Sequence, residues 1–214
     1  MTVHQVQTIE VYERALSGEP VWIRGADGSM DRLPVDVWSG QLIGPFDSSV
    51  LGLCTGPTID LGCGPGRFVA WLSARGTPAL GVDSSRLAVN LARNRGGTVL
   101  HRDLFGELPG DGRWHHVLLM DGNIGIGANP YRLLNRVSEL LGPNGTAMVE
   151  FDSPGVACGV RAIRLETSTV ASPWFPWARA GLDAARELAA KSGLSVVDQL
   201  SDSGRHLAVL ERAA

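Results

Sequence analysis

The chain of 214 residues carries a formal charge of −3 and is 44% hydrophobic, which suits one domain with a single buried core. The slightly acidic balance argues against a nucleic-acid partner gripped by a basic face, and no stretch approaches the roughly 20 apolar residues of a membrane span. Cys54, Cys63 and Cys158 are odd in number and lack C-x-x-C spacing, giving no disulfide framework and no zinc site.

The N-terminal stretch has acidic residues and no apolar core of signal-peptide length, so a soluble, cytoplasmic protein is expected. Apolar positions at helical spacing predict a helix from Val3 to Leu16, stopped by the Ser-Gly-Glu-Pro that follows. Residues 21–35 read as two short extended pieces around an Asp27-Gly28 turn, and Asp47 as the cap of a short helix through Leu53. After Gly56 a regular alternation begins. Strands are expected at Thr58–Leu61, Ala79–Val82, Val99–His101, His116–Met120 and Thr146–Phe151, with helices at Arg67–Ala74, Arg86–Arg95 and Tyr131–Leu141. Short apolar strands alternating with helices imply a parallel sheet covered on both faces. A helix over Leu182–Lys191 leads to strand Leu194–Leu200, and the turn Ser-Asp-Ser-Gly-Arg leads straight into strand His206–Glu211. Strands joined so tightly run antiparallel, so this α/β fold ends in a hairpin.

The first core strand runs into DLGCGPGR, Asp60 to Arg67. Glycines at that turn let backbone approach a ligand at the helix N-terminus, and an acidic residue about 20 positions later suits a ribose diol. Asp83 is that residue. Nicotinamide and S-adenosylmethionine proteins share these features. The loop here is G-x-G-x-G (Gly62, Gly64, Gly66), not the G-x-G-x-x-G whose helix N-terminus takes a pyrophosphate. Asp60 would oppose a pyrophosphate but could serve an ammonium group. Asp103 and Asp121 follow the third and fourth strands, so four successive strands lead into carboxylates on the edge where open α/β sheets bind ligands.

On these residues, Thr58 to Asp152 resembles the class I S-adenosylmethionine-dependent methyltransferases, and the terminal hairpin is similar to that family's seven-stranded sheet with one reversed strand. The resemblance implies S-adenosyl-L-methionine as cofactor. Asp60 would meet its methionine amino group, and Gly62, Cys63 and Gly64 would pack on its methionine and ribose portions. Asp83 would hold the ribose hydroxyls with Ser84 beside the adenine. Asp103 and the Leu104 backbone would meet the adenine amino edge, and Asp121 and Gly122 would border the sulfonium. Residues 1–50 and 153–178 carry no motif of the family. The expected division is a helical and extended cap segment over 1–50 and the methyltransferase domain over 51–214.

Other candidates lie outside the motif. Asn123 could orient an acceptor, and His206, in the hairpin at the carboxyl edge, could take its proton as a general base. Trp174 and Trp177 in SPWFPWARAG read either as an aromatic acceptor wall or as a helix-start staple, and Trp38 is a similar wall candidate. Asp121 and Asp152 end neighbouring strands, but Ser153 stands where catechol-type members would supply a further metal ligand, so no metal is expected. A small-molecule methyltransferase is the leading reading. The alternatives are a cofactor-binding regulator without catalysis and an NAD(P)-dependent oxidoreductase.

Overall fold

The computed structural model describes residues 4–40 and 42–212. It opens with strand β1 (His4–Gln5), helix α1 (Thr8–Leu16), strands β2 (Trp22–Gly25) and β3 (Met30–Arg32), and helices α2 (Val35–Ser39) and α3 (Pro45–Gly52). The regular alternation follows as β4 (Thr58–Leu61), α4 (Arg67–Ala74), β5 (Ala79–Asp83), α5 (Arg86–Asn94), β6 (Val99–His101), β7 (Trp114–Leu119), α6 (Pro130–Leu140) and β8 (Leu141–Phe151). Strands β9 (Gly159–Glu166), β10 (Val170–Ala171) and β11 (Phe175–Arg179) come next. Helix α7 (Ala185–Lys191) then leads to β12 (Leu194–Asp202) and β13 (Arg205–Arg212).

The core sheet has seven strands in the order β12-β13-β8-β7-β4-β5-β6. Strands β4 to β8 pair in parallel, and β13 runs antiparallel to both of its neighbours. The sequence expectation of a doubly wound sheet with one reversed strand is met. Its cause is visible along β7, where consecutive apolar residues point to opposite faces. Val117 and Leu119 pack with Leu133, Val137 and Leu140 of α6. Leu118 and Met120 face Phe46, Val50 and Leu51 of α3 and Phe68 and Leu72 of α4.

The second sheet is a cap. Its order is β1-β10-β9-β2-β3, with β11 also paired to β9, so it draws strands from both ranges of the expected 1–50 and 51–214 division. It has its own apolar cluster, in which Val11 and Ala15 of α1, four residues apart, meet Val21, Leu33, Leu165 and Val170. Glu13, on α1, ties this cap to the core sheet's helices. Its carboxylate accepts from Ser85 Oγ (2.8 Å) and Leu87 N–H (3.2 Å) at the start of α5.

Four expectations change. The first helix starts at Thr8, because His4–Gln5 pairs as a strand with Val170–Ala171; Val3 lies outside the described residues. Asp47 does not cap α3: Gly44 holds that position, Pro45 opens the helix, and Asp47 is buried against two arginines. The third core helix gives way at Leu141 directly to β8, because Leu141 pairs with Trp114. The segment after the fifth core strand is no helix start. Phe175–Arg179 is strand β11, held by the Phe175–Ile163 to Arg179–Gly159 register on β9.

Candidate active site

After β4 the chain turns through Gly62, Gly64 and Gly66, all left-handed at φ 72°, 52° and 78°. Glycine takes that region without strain, so the loop doubles back tightly onto the sheet edge. A side chain at Gly66 would run into Ala92 of α5, and one at Gly62 would meet Asn123 Nδ2 at 2.7 Å. Two side chains fix the loop. Asp83 accepts from the N–H of Gly64 and of Ser85, each at 2.8 Å, so one carboxylate positions both the loop and the start of α5. Asn123 Nδ2 donates to the carbonyls of Leu61 and Gly62 at 3.0 Å.

Over this edge lies a cavity of about 650 Å³. Asp60, Gly62, Cys63, Gly64, Asp83, Ser84, Asp103, Leu104, Asp121 and Gly122 all line it, as do Asn123, Trp38 and Trp177. Trp174 and His206 do not. On β11 Phe175, Trp177 and Arg179 alternate inward, which turns the neighbouring Trp174 outward, 47% exposed beneath Arg164. His206 is bound to Ser201 Oγ (2.9 Å), and it is the preceding residue, Arg205, that reaches the carboxylates beside the cavity.

Asp60 is 3% exposed and its Oδ2 has no hydrogen-bond partner among the described residues. Burial, with the negative charge of Asp121 adding and Arg67 opposing, pushes its pKa up to about 8. Asp121 sits at φ 57°, a left-handed conformation uncommon outside glycine, and its backbone N–H donates to Glu150 (2.7 Å). Arg67 Nη2 donates to both oxygens of the Asp121 carboxylate at 2.8 Å. Arg67 also pairs with Asp47, while Arg205 reaches Asp47 (2.5 Å), Asp121 (3.2 Å) and Glu150 (2.7 Å). Two arginines thus hold three carboxylates under the cavity floor. Asp152 is engaged separately by Arg179 (2.5 Å), and no cluster of three His, Cys, Asp or Glu suited to a metal occurs among the described residues.

Several lining residues escaped the sequence reading. Tyr12 of α1 lies over the loop, its hydroxyl 3.3 Å from where a Gly64 side chain would begin. Burial and the charge of Asp83 raise its pKa, so it stays a neutral donor. Arg67 and Arg179 went unread because their carboxylate partners lie far along the chain. The cavity face of β9 is Arg161, Ile163 and Leu165, an alternation legible in GVRAIRLE once a strand is assumed there. Gly125, in the loop after β7, has no room for a side chain because the Trp177 indole lies against it. That glycine therefore brings the cap strand β11 down beside Asp121 and Asn123.

Residues 59–145 match the model of the family described as "Methyltransferase domain". The structure is similar over 97% of its length to 93% of a SAM-dependent methyltransferase from Bacteroides fragilis solved with S-adenosyl-L-homocysteine, at 18% identity and TM-score 0.78. The CcbJ methyltransferase from Streptomyces caelestis matches at 19% identity and TM-score 0.64, covering 97% of each chain. The Burkholderia thailandensis 1,6-didemethyltoxoflavin-N1-methyltransferase, solved with 1,6-didemethyltoxoflavin and S-adenosylhomocysteine, matches at 16% identity and TM-score 0.64, covering 100% of this chain and 94% of that one. No curated protein matches in sequence. The fold is that of these solved methyltransferases, and residues 59–145 match a methyltransferase domain; two of the structures hold S-adenosylhomocysteine, the product form of S-adenosylmethionine as cofactor.

The residues present fit that cofactor. The orphaned buried oxygen of Asp60 calls for a donor such as an ammonium group, the glycine loop offers backbone with no side chain in the way, and Asp83 lines the same wall. No helix among the described residues is long and apolar enough to cross a membrane.

Proposed function

We propose that the chain methylates a small-molecule acceptor enclosed between the cap sheet and the carboxyl edge of the core sheet. The observation that carries this is the cavity of about 650 Å³ lined from both sheets, within the range of small-ligand sites. One wall is the glycine loop with Asp60, Asp83 and Asp121. The other is the cap face, with Ile23, Trp38, Ile163, Phe175 and Trp177. The Burkholderia protein of similar fold, solved with a small molecule beside S-adenosylhomocysteine, supports the same kind of acceptor here.

S-adenosylmethionine, when bound, would supply a sulfonium-activated methyl group, with S-adenosylhomocysteine as the leaving group. The chain's own part is placement and exclusion of water. In this reading Asp60 accepts from the ammonium group and Asp83 from the ribose hydroxyls, with Ser84 beside the base. Asp103 and Leu104 meet the adenine edge. Tyr12 donates its hydroxyl over the loop. Asn123 serves by holding the loop, since its amide nitrogen is committed to two carbonyls. No histidine lines the cavity among the described residues, so a role for His206 in proton removal has no support from its position. Residues 4–40, joined by the strands from 159 to 179, form the acceptor-facing cap of this proposal.

The test is an acceptor screen with S-adenosylmethionine, read by mass spectrometry as gain of one CH2 and appearance of S-adenosylhomocysteine. Methylation of a small molecule, abolished by Asp83→Ala, is the expected result. Methylation confined to protein or nucleic-acid substrates would overturn the proposal.

A further inference from the structure

Four arginines line the cavity: Arg67, Arg102, Arg161 and Arg179. Arg67 is neutralised by Asp47 and Asp121, and Arg179 by Asp152. Arg102 is exposed, so water serves its nitrogens. Arg161, half-buried, is the one of the four that is neither exposed nor ion-paired. Its Nε, like that of Arg67, is buried without a hydrogen-bond partner, but its guanidinium, unlike that of Arg67, makes no ion pair with the described residues. Asp27 feels its charge but makes no ion pair with it, and the Asp27 Oδ1 accepts from the N–H and hydroxyl of Ser29 at 2.9 and 2.6 Å. A buried guanidinium nitrogen left unsatisfied is costly, so the position calls for an acceptor from a ligand.

Its surroundings describe that ligand. Arg161 stands directly across from Trp177 in the β9–β11 register, with Ile163 opposite Phe175 one step along the same face. Trp177 in turn lies against Gly125, in the loop that follows Asp121. The row therefore runs from a guanidinium over aromatic and aliphatic side chains to the edge of the cofactor end. One unpaired positive charge matches a monoanion, because Arg179 is already balanced by Asp152, and Asp31, on the same lining, repels a second negative charge.

Resting on the small-molecule reading above, we propose that the acceptor is a planar aromatic carboxylic acid, its carboxylate received by Arg161 and its ring by Trp177 and Phe175.

The test titrates hydroxy- and amino-substituted benzoates and naphthoates, beside their carboxamides and aryl phosphates, into protein saturated with S-adenosylhomocysteine, following tryptophan fluorescence. The acids are expected to bind about tenfold or more tighter than their carboxamides, and tighter than the aryl phosphates. Arg161→Gln should erase that preference while leaving S-adenosylhomocysteine affinity unchanged, Arg161→Lys should keep part of it, and Arg102→Gln should keep it whole. Equal binding of acids and amides, no binding of either, a preference for phosphates, or a preference that survives Arg161→Gln would each overturn the inference. If the wild-type protein fails to bind S-adenosylhomocysteine, the underlying methyltransferase reading falls first.

Discussion

Asp60 carries the site's most distinctive chemistry at the scale of a single residue. The sequence placed it just before the glycine loop, and that location could be read from its neighbours alone. Its burial and the orphaned oxygen could not, because they depend on how β5 and the loop after β7 close around it with Asp83 and Asp121. With its pKa raised to about 8, folded ligand-free protein keeps a proton that the unfolded chain releases from about pH 4 upward. The folded state therefore binds more protons in that window, and its stability falls as pH rises through it. Asp60→Asn, neutral at every pH, is expected to flatten this decline in thermal melts of ligand-free protein. Binding of an ammonium-bearing ligand favours the ionised carboxylate, so wild-type protein should release a proton on binding near neutral pH and Asp60→Asn should not. Calorimetry in buffers of different ionisation enthalpy reads this, and equal proton release in both proteins would contradict the assignment.

At the scale of elements, the core strands and their helices followed from local apolar runs and glycine stops, so β4, α4, β5 and β6 stand close to where they were expected. The cap was not legible in the same way. Strand β1 exists because Val170–Ala171 pairs with it, and β11 because Gly159–Ile163 does, and neither partner is local. Trp174 and Trp177 were equivalent in the sequence until a strand's alternation turned one out and the other in. The same distance hid the charge network beneath the cavity, where α4, α3, the loop after β7, β8 and β13 each contribute one side chain: Arg67, Asp47, Asp121, Glu150 and Arg205. Arg67 is buried, so removing it leaves Arg205 alone to balance three carboxylates. Arg67→Ala is expected to cost about 3–5 kcal/mol in denaturant unfolding. An exposed-pair value of about 0.5 kcal/mol would show that the network does not hold these elements together.

At the scale of the whole molecule, two sheets with separate apolar clusters share one cavity, and the contacts that join them run close to the proposed cofactor end. Glu13 fastens α1 to the start of α5, Tyr12 lies over Gly64, and Trp177 rests on Gly125. The G-x-G-x-G loop and the carboxylates that follow four successive strands were sufficient to reach the fold, since each acts locally. The proposed acceptor would be recognised by the cap, whose residues come together only in the folded chain, and so its chemistry could not be read ahead of the fold.

The measurement that bears most directly on this account is calorimetric titration of S-adenosylhomocysteine into wild-type protein and Asp83→Asn. Asp83 lines the cavity and orders both the glycine loop and the start of α5. Saturable one-site binding to the wild type, weakened about tenfold or more in Asp83→Asn, is the result the account predicts. Folded wild-type protein that does not bind, or Asp83→Asn that binds equally well, would contradict it.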